Sequence, residues 1–230
     1  MPKTVIAIAM ILLTIVIYYF MTRLYRKYAS PFLIPVLTST ICLVLLLVLF
    51  GVPYKTYMAG GSYINTFLGP AVVALAYPLY KQRAVLLKNL IPVLSGVVIG
   101  SVAGMVSGLL FAKSIGVEKS LVMSIVPKSV TTPVAMGISE ELGGKPSLTV
   151  IFVMIAGISG AVMGPYFLKW LRINTNLGQG MAFGSASHAI GTSKAFEYGE
   201  KVATVSSVAM TLCAVLDSVL GPFIVWIFYG

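Results

Sequence analysis

The sequence predicts an all-α polytopic membrane protein, with about six transmembrane helices plus two re-entrant or broken helical segments, arranged like an inverted-repeat transporter. Three observations carry that expectation. Apolar residues make up 58% of the 230-residue chain and charged residues 10%, against about 45–50% and about 25% in soluble domains; the mean hydropathy is +0.98. The apolar residues gather in runs close to the roughly 20 residues that cross a bilayer, and most basic residues fall between the runs. Two of the later runs are interrupted by polar motifs that no single apolar span would carry. This composition argues against a soluble enzyme and against disorder alike.

The first run is Thr4–Met21. Only Lys3 precedes it, Arg23, Arg26 and Lys27 follow it, and no small-x-small cleavage site is present. It therefore reads as a retained helix with its N-terminus outside and its basic end in the cytoplasm. The second run, from about Pro31 to Gly51, is nearly pure Leu, Val and Ile, apart from Thr38, Ser39 and Thr40, which suit contact with another helix. Tyr54 to Tyr80 contains Gly60-Gly61, Asn65 and Gly69-Pro70, the marks of a kinked or broken helix. Leu87 to Ala112 carries Gly96, Gly100, Gly104 and Gly108, an every-fourth-residue stripe for close helix packing. Ser147–Leu168 and Val202–Phe228 are further spans.

Between and after these lie the two interrupted segments. Val117–Gly144 is broken by Pro127-Lys-Ser-Val-Thr-Thr-Pro133, and Leu177–Glu200 by Ser185-Ala-Ser-His-Ala-Ile-Gly-Thr-Ser-Lys194. Loop charges suggest what these breaks do. With Lys81 and Arg83 inside, the fourth segment ends outside. If Val117–Gly144 turned back on itself, Lys169 and Arg172 would fall in the cytoplasm, as basic loops tend to. The second broken segment would then enter from the cytoplasm, and two hairpin tips would meet near the midplane. A faint repeat agrees: Thr132, Ala135 and Glu140 recur as Thr192, Ala195 and Glu200, and Gly164-Pro165-Tyr166 as Gly221-Pro222-Phe223. The expected organisation is a single membrane domain, residues 1–113 acting as a scaffold and 117–170 and 177–230 as inverted repeats.

The net charge is +10, from 16 Lys and Arg against 6 Asp and Glu. In this setting it reflects loop charges facing a lipid bilayer and argues against nucleic acid. Cys42 and Cys213 sit inside apolar runs, and with one histidine no metal spacing is present; no cofactor is expected. HExxH, GxSxG and P-loop signatures are absent, so the chain does not read as an enzyme.

The chemistry concentrates at the two breaks. Thr132 before Pro133 suits a helix start, and Thr192 with Ser193 is its counterpart. A helix beginning at mid-membrane aims free N–H groups and a positive dipole end at any cavity there, which favours an anion. Lys128 and Lys194 flank these starts. Either both lysines face a wet cavity, or both lie at the surface in ordinary loops. On the first reading Lys128, Ser129, Thr131, Thr132, Ser187, His188, Gly191, Thr192, Ser193 and Lys194 form a site for a small anionic metabolite, a carboxylate above all. Asp217, inside the last span, is a coupling group or an ion-pair partner; Glu197 is placed to pair with Lys194 at i, i+3. Glu140 and Glu200, which follow the helix starts, are further coupling or ion-pair candidates unless they mark a charged hairpin end at the water interface, as Glu141 does. Asn65 is a weaker addition from the first half.

The motif from Pro127 to Gly144, PKSVTTPVAMGISEELGG, and that from Gly184 to Glu197, GSASHAIGTSKAFE, resemble the LrgB/CidB family, and the likeness covers nearly the whole chain. The resemblance implies a bacterial inner (plasma) membrane protein, antiholin-like or holin-like, tied to murein hydrolase export or activity and to lysis. It implies a smaller LrgA/CidA-type membrane partner. Plastid relatives are glycolate/glycerate translocators and some bacterial relatives are tied to pyruvate uptake, so it equally implies a carrier of short 2-hydroxy and 2-oxo acids. A homo-oligomer is expected on either reading, and the glycine stripe from Gly96 to Gly108 is a candidate interface.

Overall fold

The computed structural model describes residues 3–28, 30, 33 and 35–229. Every regular element among them is helical: α1 Lys3–Tyr28, α2 Pro35–Leu49, α3 Tyr54–Thr66, α4 Leu68–Ala74, α5 Ala76–Lys81, α6 Arg83–Lys88, α7 Leu90–Ser114, α8 Lys119–Ile125, α9 Thr132–Glu141, α10 Pro146–Trp170, α11 Asn176–Ala195 and α12 Glu200–Tyr229. A 3₁₀ turn, Phe196–Tyr198, links the last two. Among the described residues, four helices are long and apolar enough to cross a membrane: α1, α7, α10 and α12. The second run forms the 15-residue α2, short of the usual span; Pro31, Phe32 and Ile34 at its predicted start lie outside the described residues. The run from Tyr54 breaks up into α3, α4 and α5, with interruptions at Phe67 and Leu75 on either side of Gly69-Pro70.

The residues fall into two compact units, Met1–Ala71 and Val72–Gly230. In the first unit α1 packs on α2 and α3. Gly60 lies against the backbone carbonyl of Ala7, where a Cβ would collide, and Thr14 Oγ1 meets the Tyr57 hydroxyl at 3.2 Å.

In the second unit α10, α11 and α12 form the centre with α7 alongside. Two small cores stack along α7. Val93 and Val97 pack with Val130, Ile138 and Val208. Met105, Leu109 and Ala112 pack with Val122, Val126 and Ile224. Lys113 Nζ donates to the Phe228 carbonyl at 3.3 Å, so α7 and α12 run in the same direction.

Both broken segments turn back on themselves. After α9 the chain returns to α8: the Lys145 N–H donates to Ser124 Oγ at 2.7 Å, and Gly144 is wedged against the backbone of Met123. In α11 the helical path fails at His188 (φ 41, ψ −133). Beyond it Gly191 lies against the Phe183 carbonyl, eight positions earlier, and Ala195 packs in one cluster with Phe183 and Val202. Eight residues of continuous helix would separate Phe183 from Gly191 by about 12 Å, so the contact requires a reversal. The first hairpin opens toward the C-terminal end of α7, where Val122 and Met123 pack. The second opens toward the start of α12, where Gly180 meets Val202.

Candidate functional site

Glycine at every fourth position leaves a groove along α7, and the two hairpins fill it from inside the chain. A Cβ at Gly96 would meet Met181, one at Gly100 Ser185, one at Gly104 Ser129 at 3.0 Å, and one at Gly108 the Lys128 ammonium. This corrects the expectation of an oligomer interface: the stripe is occupied by the molecule's own hairpins, because only the missing side chains let the two polar segments reach the helix.

Lys128 reaches the same groove at the tip of the first hairpin. Its Nζ donates to the Gly104 carbonyl, which spends one of three ammonium protons. Asp217 of α12 lies within electrostatic reach of that ammonium. It is 1% exposed, and neither carboxylate oxygen has a hydrogen-bond partner among the described residues. Ser101 of α7 faces the same carboxylate without completing a hydrogen bond. Sequence reasoning missed Ser101, although it is a lone hydroxyl one turn before Met105 on the buried side of an apolar helix.

The helix starts are displaced from their expected places. The residue that caps α9 is Thr131, with φ −61 and ψ 142, and Thr132 is already helical. Thr131 Oγ1 makes no capping bond and is buried without a partner among the described residues. In the second hairpin the break is His188, four residues before Thr192. His188 is 3% exposed and its Nε2 lies 3.0 Å from the Val153 carbonyl of α10. Thr192 sits inside the returning helix; its Oγ1 donates to the His188 carbonyl at 2.9 Å and lies 2.9 Å from Ser206 Oγ. Ser206, a second residue the sequence reading overlooked, belongs to a Ser-Ser pair in α12.

The predicted residues therefore separate into two sets. Lys128, Ser129 and Ser187 line one cleft at the hairpin tips, with Asp217 of α12 in electrostatic reach of Lys128; Thr131 and His188 are buried next to them in the chain, with Thr132 and Gly191 just beyond. Lys194 does not join them. It forms an ion pair with Glu197 at i, i+3, its side chain 23% exposed and that of Glu197 58%. Ser193 is exposed and donates to the Ala189 carbonyl at 3.0 Å. Glu140, Glu141 and Glu200 are exposed at helix ends, and Asn65 is exposed on α3 in the first unit.

A cleft of about 480 Å³ opens beside the tips, and Lys128, Ser129 and Ser187 line it with the apolar side chains of α10 and α11. The arrangement offers an ammonium and two hydroxyls to a ligand in the cleft. On the far side, a carboxylate balances the ammonium.

Comparison with known proteins covers the whole chain. The model of the LrgB-like family matches residues 14–227. The uncharacterised protein YxaC of Bacillus subtilis (strain 168) is 58% identical over 229 residues, covering 100% of both chains. The holin-like protein CidB of Staphylococcus aureus (strain N315) is 40% identical over 223 residues and 97% of each chain. The holin-like protein CidB of Staphylococcus epidermidis (strain ATCC 12228) is 38% identical over 223 residues, again 97% of each. No solved structure matches the chain.

Proposed function

The chain belongs to the LrgB-like family, and from that premise we propose that it works as a holin-like regulator of the bacterial plasma membrane. In this reading the protein is multi-pass, catalyses no reaction, and influences murein hydrolase export and lysis together with an LrgA/CidA-type partner, as a homo-oligomer. Its main support is likeness over nearly the full length to proteins named holin-like. The four apolar helices agree with it. The test is expression of this chain, with and without such a partner, in a host lacking its own family members. Secreted murein hydrolase activity and stationary-phase lysis are expected to change; no change in either setting removes the reading.

One observation favours a second reading, a secondary carrier of small monocarboxylates such as glycolate, glycerate, pyruvate or lactate. It is that Lys128 of the first break and Ser187 beside the second line one cleft, with Asp217 in electrostatic reach of the lysine. Non-helical backbone at membrane depth is tolerated only where protein buries it or water reaches it, and charges there mark solute and ion paths. In the carrier, residues 1–113 form a scaffold, while 117–170 and 177–230 act as inverted repeats around the tips, with about six spans in all. Lys128 holds the anion and Asp217 takes the coupling ion. Proteoliposomes holding the chain alone, with an imposed proton gradient, should show saturable uptake that Lys128→Ala abolishes and Thr192→Val reduces. Unchanged uptake in both variants removes the site.

A further inference from the structure

We infer that the cleft beside the hairpin tips binds a monocarboxylate whose carbon body is apolar, in preference to a hydroxylated acid. The inference narrows the carrier reading, away from glycolate, glycerate and lactate, and rests on it for transport, though not for binding.

The cleft has two chemically distinct parts. Its polar side chains are Lys128, Ser129, Ser159 and Ser187. Ser159 is already spent on the Ile155 and Ala156 carbonyls of its own helix. The hydroxyls of Ser129 and Ser187 have no hydrogen-bond partner among the described residues, although these residues are 7% and 1% exposed. Two ammonium protons of Lys128 are also unspent. Donors therefore converge on one end of the cleft with nothing to receive them. None of the six acidic residues lines it. These donors open onto a mostly apolar cleft that offers them no protein acceptor, and a carboxylate supplies acceptors of matching charge.

The rest of the wall is apolar. Phe152, Ala156, Met163, Phe167, Leu168 and Phe183 are among its side chains. A hydroxyl on the ligand's body would lose its water there and find no partner, which weakens binding by roughly tenfold or more. A methylene in the same place strengthens it about fourfold. A lipid acyl chain fills the apolar part but leaves the donors unanswered. A phospholipid headgroup does not reach them either. Gly104, the carbonyl partner of Lys128, lies in the middle of the 25-residue α7, roughly 15–20 Å of helix from either end.

The test is equilibrium binding to the purified full-length protein in detergent, with labelled hexanoate as the probe and acetate and glycerate as competitors. The Ala156→Phe variant in the same detergent corrects for partition into micelles. Affinity is expected to rise on the order of a hundredfold from acetate to hexanoate, with glycerate no tighter than acetate. Ala156→Phe, which fills the apolar part, should weaken hexanoate at least tenfold more than acetate, and Lys128→Gln should weaken both. Glycerate binding as tightly as hexanoate, hexanoate binding indifferent to Ala156→Phe, or no binding of any of the three overturns the inference. The two readings fail separately. Glycerate uptake without hexanoate preference keeps the carrier and removes this inference, whereas hexanoate bound without flux does the reverse.

Discussion

Lys128 and Asp217 are the residues whose energetics are most sharply constrained. Asp217 is buried and Lys128 half-buried, and the two attract one another without forming a close ion pair, so removing one leaves the other less well compensated. Asp217 has no hydrogen bond among the described residues to make up the difference. Asp217→Ala is therefore expected to lower the melting temperature in detergent markedly. The double variant Lys128→Met with Asp217→Leu should recover most of the loss, since an apolar pair of similar volume needs no compensation. Additive losses in the double variant would show that the two do not act as a pair. Glycines offer a second residue-scale test, because two of them predict opposite signs. A Cβ at Gly157 would run into the His188 ring, whereas one at Gly137 meets nothing. Gly157→Ala should destabilise by about 1–3 kcal/mol through overpacking. Gly137→Ala, on the exposed face of α9, should be neutral or gain up to about 1 kcal/mol from helix propensity. Equal effects from the two would contradict the packing described.

Among the elements, the hairpins carry the argument. Each half of a hairpin is short: α8 has 7 residues and α9 has 10, about 10–15 Å of helix and at most half the hydrocarbon thickness. Such pieces cannot cross alone. They persist because their backbones are covered by α7, α10 and α12, with glycine at the closest approaches. At Gly184 a Cβ would meet the Ser206 carbonyl, so Gly184→Val should push α11 off α12 and cut the yield of folded protein. The reversal itself predicts sidedness. Cysteines replacing Glu141 and Leu177, one at the mouth of each hairpin, should react with an impermeant reagent from opposite faces of the membrane. Labelling of both from the same face would remove the two-hairpin arrangement.

For the molecule as a whole, the surface follows from lipid as solvent. Large apolar side chains such as Phe20, Ile91, Ile155 and Trp226 are exposed on the long helices, which in water would mark aggregation or partners and in a bilayer needs neither. Small-residue stripes are the usual signal for helix association between chains, yet here the stripe on α7 is taken by Met181, Ser185, Ser129 and Lys128 of the same chain. Gly100→Leu should therefore lower the yield of monodisperse protein, while whatever folds keeps its subunit stoichiometry by native mass measurement. A changed stoichiometry at full yield would place the interface on the stripe after all.

Composition and run length by themselves determined that the chain is a helical membrane protein, and the proline and polar motifs at Pro127–Pro133 and Ser185–Lys194 located its two breaks, because each of these is a local property of the chain. The Lys194–Glu197 pair was legible for the same reason: three residues on a helix always bring two side chains together. Only the tertiary structure decided that Lys128, rather than both lysines, stays at the tips, since that depends on which residue finds a glycine opposite it. It also moved the start of the returning helix from Thr192 back to just beyond His188, whose ring lies against the Val153 carbonyl of another helix. Ser101 and Ser206 became visible only when Asp217 and Thr192 from distant elements faced them, because a hydroxyl in an apolar run shows in sequence only its polarity and not the group it faces.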